Sequence, residues 1–176
     1  MAEKEFDPRI VQFIENLAGL DAGERARLKR NAGNTLAQAR HTALGLFYKA
    51  LPSGVPRYQE EAYFLVATLY PLADSGGSGN LGTALRRAQD TQNKAGLDRR
   101  IEALLDADEE QLPFRLRQAI RYLYSKRTPV DWAKLLKDLL SWTHPDRFVQ
   151  KEWARTYFAQ QFQAETASQL KINAIY

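Results

Sequence analysis

Apolar residues recur at helical spacing along most of this 176-residue chain, and this recurrence narrows its fold more than any other feature. Near the start, Ile10, Phe13 and Leu17 lie three or four positions apart, as residues on one face of a helix do. A strand would instead need strict alternation, and the sequence has neither an alternating segment nor an Asn-Gly or Asp-Gly hairpin turn. The sequence therefore predicts an all-α protein, built as a compact bundle of about eight helices.

Helix start signals agree with this periodicity. Asp7 stands before Pro8 as an N-cap followed by a proline in the first turn. Asp21 and Glu24 form the pattern of a capping box, and Asn34 can cap the helix that follows. Further helices are predicted from Pro56 to about Tyr70 and over residues 83–89, 98–106, 108–124, 130–142 and 145–162. In the helix over 108–124, the predicted apolar face consists of Leu116, Ile120, Leu123 and Tyr124.

The domain organisation follows from one loop and one tail. Residues 74–80 read DSGGSGN, the clearest loop in the chain. We expect a single helical domain over residues 1–163, with a boundary between two small lobes at 74–82 as the alternative organisation. Residues 164–176 show weak periodicity and are expected to form a poorly ordered tail.

Composition excludes several classes of protein. The chain has no cysteine, which rules out a disulfide scaffold, a thiolate zinc site and a cysteine nucleophile, and which suits a reducing compartment. Residues 1–7 lack the apolar run of a signal peptide, and the longest apolar stretch, 62–72, is too short to cross a bilayer. We therefore expect a cytoplasmic protein without a membrane partner.

The basic residues are unevenly distributed, although the net charge is only +4. No acid lies between Glu24 and Glu60, and none lies between Glu110 and Asp131. The first of these stretches contains Arg25, Arg27, Lys29, Arg30, Arg40, Lys49 and Arg57, and the second contains Arg115, Arg117, Arg121, Lys126 and Arg127. Segregated positive charge is typical of a polyanionic partner, and solvated helix faces are the alternative explanation.

The sequence offers no case for an enzyme. His41 and His144 are the only histidines, and they lack metal-ligand spacing. The acids over 102–110 lie in a polar run, whereas a catalytic carboxylate pair needs an apolar pocket that separates two pKa values. No nucleophile is paired with a base. We expect neither a catalytic residue nor a metal or other cofactor.

The sequence also contains a tripeptide that is known as a functional motif. Residues 144–146 read His-Pro-Asp, the signature of J-domains, which stimulate an Hsp70 ATPase. The same residues also suit a helix start, with Pro145 in the first turn and Asp146 beside the positive end of the helix dipole. A J-like cochaperone is therefore one hypothesis, supported by this tripeptide alone.

Several basic residues fall into pairs on shared helix faces. Arg117 and Arg121 are four apart, and Arg27 and Arg30 are three apart. Arg99 and Arg100 are adjacent in a polar segment. Arginine predominates, and its planar guanidinium suits bidentate contacts with phosphate.

A series of short segments stands out along the chain: LKRNAG at 28–33, FY at 47–48, LP at 51–52, YFLVATLY at 63–70, NLG at 80–82, RIEALL at 100–105, LRQAI at 116–120, VDWAKLLKDL at 130–139, Trp142, HP at 144–145, VQ at 149–150 and WAR at 153–155. Taken together and in order, these segments resemble the CasB family, the small subunit of the type I-E CRISPR surveillance complex called Cascade. They run in order from about residue 10 to 160. The resemblance also accounts for residues 144–146 without a chaperone function.

The resemblance implies a compact helical subunit without nuclease activity. Two copies would lie together in Cascade, beside the CRISPR RNA, the subunits that form its backbone, and the large subunit. They would help to hold the R-loop, which comprises the RNA–DNA hybrid and the displaced DNA strand. The candidate nucleic-acid-binding residues are Lys29 and Arg30 first, then Arg117 and Arg121, followed by Arg27, Arg99 and Arg100.

A purely architectural role is the main alternative. Arginine pairs with carboxylates as well as with phosphates, so the same basic faces could dock on acidic partner subunits. The sequence shows no pattern of base-reading residues, and we expect any contacts with nucleic acid to be independent of its sequence.

Overall fold

The computed structural model describes residues 5–159, 169–172 and 174 of the chain. Over residues 5–159 it contains nine α-helices and three short 3₁₀-helices, which confirms the all-α prediction. The α-helices are α1 (Pro8–Ala18), α2 (Ala22–Lys29), α3 (His41–Ala50), α4 (Glu60–Leu69), α5 (Leu81–Arg87), α6 (Lys94–Leu105), α7 (Leu112–Ser125), α8 (Trp132–Leu139) and α9 (Phe148–Phe158), and the 3₁₀-helices are Leu36–Gln38, Arg57–Gln59 and Tyr70–Leu72. Most of the tail predicted over 164–176 lies outside the described residues. Within the described residues, no helix is long and apolar enough to cross a membrane.

Local capping chemistry sets the starts of the first two helices, as predicted. The Asp7 carboxylate accepts a hydrogen bond from the backbone N–H of Arg9 at the start of α1. At the start of α2, the N–H of Glu24 donates to Asp21 and the N–H of Asp21 donates to Glu24, at 2.8 and 3.0 Å. These reciprocal bonds satisfy donors that the first turn of a helix leaves unpaired.

The helix predicted from Asn34 begins seven residues later, at His41. Residues Leu36–Gln38 close a 3₁₀ turn instead, and Arg40 is extended. The N–H of Arg40 donates to the side chain of buried Asn31, at 3.1 Å. This contact ties the segment back to the end of α2, and it competes with a continuous helix.

The starts of the later helices also differ from the predictions, by two to four residues. The helix predicted over 98–106 begins at Lys94, four residues earlier. The helix predicted over 145–162 begins at Phe148, because Arg147 has a left-handed backbone with φ of 51° that interrupts the turn. Residues 144–146 therefore form a turn between α8 and α9 rather than the start of a helix.

The core is one continuous cluster that contains several aromatic contacts. The rings of Phe13, Phe47 and Phe64 meet edge to face where α1, α3 and α4 pack together. Trp142 and Trp153 contact each other where α9 approaches the end of α8. All three tryptophans are buried, so each packs the core instead of offering a surface for stacking.

The loop over 74–80 is tied to the segment that precedes α8. The N–H of Val130 donates to the carbonyl of Asp74 at 2.8 Å, and the N–H of Gly77 donates to the carbonyl of Val130 at 3.3 Å. Close by, α2 and α7 both contact the 3₁₀-helix Tyr70–Leu72. This arrangement brings the two acid-free stretches of the sequence to the same side of the protein.

Candidate nucleic-acid interface

A groove of about 390 Å³ lies between α2, the Tyr70–Leu72 turn and the end of α7. Arg25 and Lys29 from α2 line it on one side, because residues four apart share a helix face. Tyr124 from α7 lines it on another. Asp74 is the only acid in this lining.

Arg117 reaches the same region through the turn that follows α2. Gly33 has a φ of 93°, a conformation that glycine adopts readily and other residues do not. A Cβ placed on Gly33 would lie 3.1 Å from Cδ of Arg117, so the arginine stem packs directly against this turn. The buried Nε of Arg117 has no hydrogen-bond partner among the described residues, and packing alone holds the stem.

Arg121 and Tyr124 continue from Arg117 along α7 at the fourth and seventh positions. This spacing places all three on one face of the helix. We call the surface formed by Lys29, Arg117, Arg121 and Tyr124 the α2–α7 face. The residue that α2 contributes and those that α7 contributes are at least 88 positions apart in the sequence.

The cations of the α2–α7 face have no acidic partner in the part of the chain that the structure describes. Among the described residues, Lys29, Arg117 and Arg121 have no carboxylate oxygen within 4 Å. Lys126, one turn further along, differs because its Nζ lies 2.9 Å from Asp90. That hydrogen bond raises the pKa of Lys126 and lowers the pKa of Asp90. Among the described residues, Lys29, Arg117 and Arg121 thus differ from Lys126 in having no carboxylate partner.

Arg25 has an internal role despite lining the groove. Its guanidinium donates to the carbonyl of Ala18 at 2.6 Å and lies over the ring of Tyr70. The first contact ties α2 to the end of α1. We therefore leave Arg25 out of the α2–α7 face.

The other predicted residues lie around this face rather than within it. Arg30 is exposed at the C-terminal cap of α2, next to Lys29 in sequence. Arg27 is also exposed, but it is two residues from Lys29 and so points to the other side of α2. Arg100 lines a crevice between α6 and the opposite flank of α7, and Arg99 is exposed beside it on α6. The structure thus brings together Lys29, Arg117 and Arg121, borders them with Arg30, and separates Arg27, Arg99 and Arg100 from them.

Tyr124 is the residue whose position the sequence analysis assigned wrongly. We predicted it on the apolar face of α7 with Leu116, Ile120 and Leu123, which are buried as expected. Tyr124 is instead 61% exposed. Its place three residues after Arg121 is the signal that could have assigned it to the basic face.

The His-Pro-Asp turn makes local contacts. Nδ1 of His144 accepts a hydrogen bond from the N–H of Asp146 at 3.2 Å, and the His144 ring packs edge to face on Phe148. Arg147 donates to the carbonyl of Leu105 and so fixes the turn to the end of α6. This geometry adds no support for a cochaperone beyond the tripeptide itself.

A second groove, of about 550 Å³, has the opposite chemistry. Its floor is apolar and includes Leu65, Leu112 and Trp142, whereas Glu109 and Glu110 lie among its lining residues. Such a groove suits a protein partner better than a polyanion, because nucleic acid would meet like charge there.

Known proteins resemble this chain over most of its length. A family model described as CRISPR-associated protein Cse2 matches residues 24–158. A CRISPR-associated protein Cse2 from Thermus thermophilus is 44% identical over 162 residues, which cover 85% of this chain and 88% of that protein. The crystal structure of M. ruber CasB matches with a TM-score of 0.73 at 30% identity, over 93% of this chain and 99% of that one.

The fold also matches a chain from a structure described as a CRISPR RNA-guided surveillance complex. The TM-score is 0.74, and the match covers 91% of this chain and 97% of the other. At 20% identity, this likeness shows the fold alone.

Proposed function

This chain belongs to the CRISPR-associated Cse2 family, to which the CasB resemblance pointed, and from that premise we propose that it is a non-catalytic subunit of the CRISPR surveillance complex Cascade. In this role it binds nucleic acid without sequence specificity and stabilises the R-loop, including the displaced DNA strand. Its partners are the CRISPR RNA, the target DNA, the backbone and large subunits, and a second copy of itself, all in the cytoplasm. The match to a surveillance-complex chain supports this assignment.

The observation that carries the proposal is the α2–α7 face. It joins three cations, Lys29, Arg117 and Arg121, which have no acidic partner among the described residues. Exchange of a DNA duplex for an RNA–DNA hybrid is nearly balanced in free energy, so a few contacts with the backbone can decide its direction. A displaced strand is a flexible polyanion, and a basic surface can follow it without reading its sequence.

Salt dependence of binding tests this proposal. We would measure the dissociation constants of the purified protein for single-stranded DNA, duplex DNA and RNA across a salt series, and repeat them with Lys29→Gln, Arg117→Gln and Arg121→Gln combined. Each lost phosphate contact should lower the slope of log K against log salt by about 0.7 for single strands, so the triple variant should lose about 2.

Lys151→Gln, combined with Lys49→Gln and Arg57→Gln at two other exposed positions, is the matched control for charge. Lys151 is exposed on α9, outside the α2–α7 face. The control should change the slope less than the triple variant does. An unchanged slope for the triple variant, or no binding of the wild type to any nucleic acid at low salt, would contradict direct binding.

A purely architectural subunit is the second candidate function. The second groove favours it, and we call this groove the acidic groove because of the glutamates in its lining. Glu109 and Glu110 lie at an apolar floor, and Tyr58, 83% exposed, lies at its edge. If this groove holds a neighbouring subunit, Tyr58→Ala with Glu110→Lys should release the protein from the reconstituted complex without changing its affinity for DNA. Release by the α2–α7 variants instead would place the protein contact on the basic face.

A further inference from the structure

Exposed rings and arginines follow one another along the outer face of α7, and of these arginines Arg117 is half-buried. Phe114, Arg117, Arg121 and Tyr124 are spaced by three, four and three residues, which places them in one stripe along the helix. The stripe spans about 15 Å at the rise of an α-helix. Phe114 is 50% exposed, as a ring without any polar atom. The stripe therefore combines positive charge with apolar ring surface that faces solvent.

Two of the other exposed rings, those of Tyr48 and Phe148, are held by neighbours within the protein. The hydroxyl of Tyr48 donates to Glu60, and Phe148 packs on His144. Among the described residues, the Phe114 ring contacts no other aromatic ring. The guanidinium of Arg115 lies 5.7 Å from its centroid. Tyr124 lies at the edge of the groove that Lys29 lines. Exposed rings that are grouped with cations in one stripe, and not scattered singly, are typical of an interaction site.

We propose that this stripe is a stacking platform for single-stranded DNA, and this inference rests on the function proposed above. Bases stack on Tyr124 and Phe114, while phosphates meet Arg117, Arg121 and, across the groove, Lys29. Every base has a π-face, so stacking adds affinity without sequence preference. Arginines between the rings suit a strand whose phosphates alternate with its bases.

This arrangement distinguishes a single strand from a duplex. In a duplex, each base face is already covered by its neighbours, and exposing one costs unstacking energy. A displaced DNA strand has lost its complementary partner and can turn its bases towards the rings. The cations alone would hold both forms through phosphate contacts, so the rings supply the preference for the single strand.

The test compares ring variants on probes with and without bases. The probes are a mixed-sequence single-stranded DNA, an abasic oligomer with the same number of phosphates, and a duplex of the same sequence. Tyr124→Ala in the full chain should weaken binding to the single strand about thirtyfold, the middle of the range for base–aromatic stacking. Binding to the abasic oligomer and to the duplex, and the salt slope for all three probes, should stay as in the wild type.

Two further variants control for structure and ring chemistry. Tyr124→Phe keeps the ring and should retain wild-type affinity for the single strand. Tyr58→Ala removes a ring that is more exposed than Tyr124 but lies at the acidic groove, and it should have no effect on DNA binding. Circular dichroism and thermal unfolding would show that each variant folds.

The outcomes separate this inference from the function on which it rests. Equal weakening by Tyr124→Ala on the single-stranded and abasic probes would overturn stacking and leave charge-driven binding in place. No binding of the wild type to any probe would overturn the proposed function itself. A single-stranded RNA that binds more tightly than the DNA, with the same loss in Tyr124→Ala, would assign the stripe to RNA and overturn its assignment to DNA.

Discussion

Gly82 and Gly96 are both in the first turn of a helix, yet replacing each with alanine should change the free energy of unfolding in opposite directions. Gly82 lies in α5 where this helix crosses α9. A Cβ on Gly82 would overlap the carbonyl oxygen of Trp153 and the hydroxyl of Thr156, and it would lie 3.0 Å from the carbonyl carbon of Trp153. A Cβ on Gly96, in α6, would meet no atom within 4 Å.

The loss in the free energy of unfolding that we expect for Gly82→Ala follows from the groups that must move. The obstacle is partly backbone, so the two helices must separate, and overpacking of this kind costs about 1–3 kcal/mol. Separation also weakens the hydrogen bond from Thr156 to Asn80, 2.8 Å in the structure and worth about 1 kcal/mol. Higher helix propensity offsets at most about 1 kcal/mol. We expect a net loss of about 2–3 kcal/mol.

Gly96→Ala changes only the backbone entropy and the helix propensity. It should stabilise the protein by about 0.5–1 kcal/mol. The two variants should therefore differ by about 3 kcal/mol, although they carry the same chemical change.

Urea unfolding followed by circular dichroism measures this difference. Gly82→Ala should lower the midpoint and Gly96→Ala should raise it, with the m-value unchanged in both. In thermal unfolding, Gly82→Ala should melt about 4–12 °C below the wild type for a chain of this size. If Gly82→Ala were as stable as the wild type, the close crossing of α5 and α9 would be refuted.

Two further predictions concern buried polar groups. The hydroxyl of Tyr157 donates to Asp98 at 2.7 Å, and burial together with this bond raises the pKa of Tyr157 far above its usual value. The unfolded chain then loses this proton first, so stability should fall as the pH rises above about 10, and Tyr157→Phe should reduce that fall in urea titrations from pH 8 to 11. Buried Asp138 accepts from the indole N–H of Trp153 and pairs with Lys134, so Asp138→Ala should cost about 3 kcal/mol in thermal unfolding. Asp138→Asn keeps an acceptor for Trp153 and should cost about 1 kcal/mol; equal losses in both variants would contradict this role for the acceptor.

The α2–α7 face and the acidic groove are two separate surfaces of the subunit. The cations of the face lie on one side of the bundle, and the groove has acids at its lining. One surface could therefore hold nucleic acid while the other contacts protein. The binding experiment and the reconstitution experiment address these two surfaces with different variants, so each can fail without the other.

The sequence alone was sufficient to determine the helical class and several helix starts. Capping at Asp7 and Asp21 involves residues within one turn, and such interactions form independently of the rest of the chain. Heptad-like apolar spacing likewise reports which residues of a helix face the core. Order and spacing of short segments also pointed to the family to which the chain belongs.

Tertiary structure decided where helices break and which cations meet. The break before α3 depends on a hydrogen bond between Arg40 and Asn31, which no helical pattern encodes. Lys29 and Arg117 lie far apart in sequence, and the arginine comes to the C-terminal end of α2 because its stem packs against the turn at Gly33. Tyr124 shows the same limit, since periodicity gives a residue's angle on its helix only to within about one position. Whether a residue at that angle faces the core or solvent depends on how neighbouring helices pack, and this packing is a property of the whole fold.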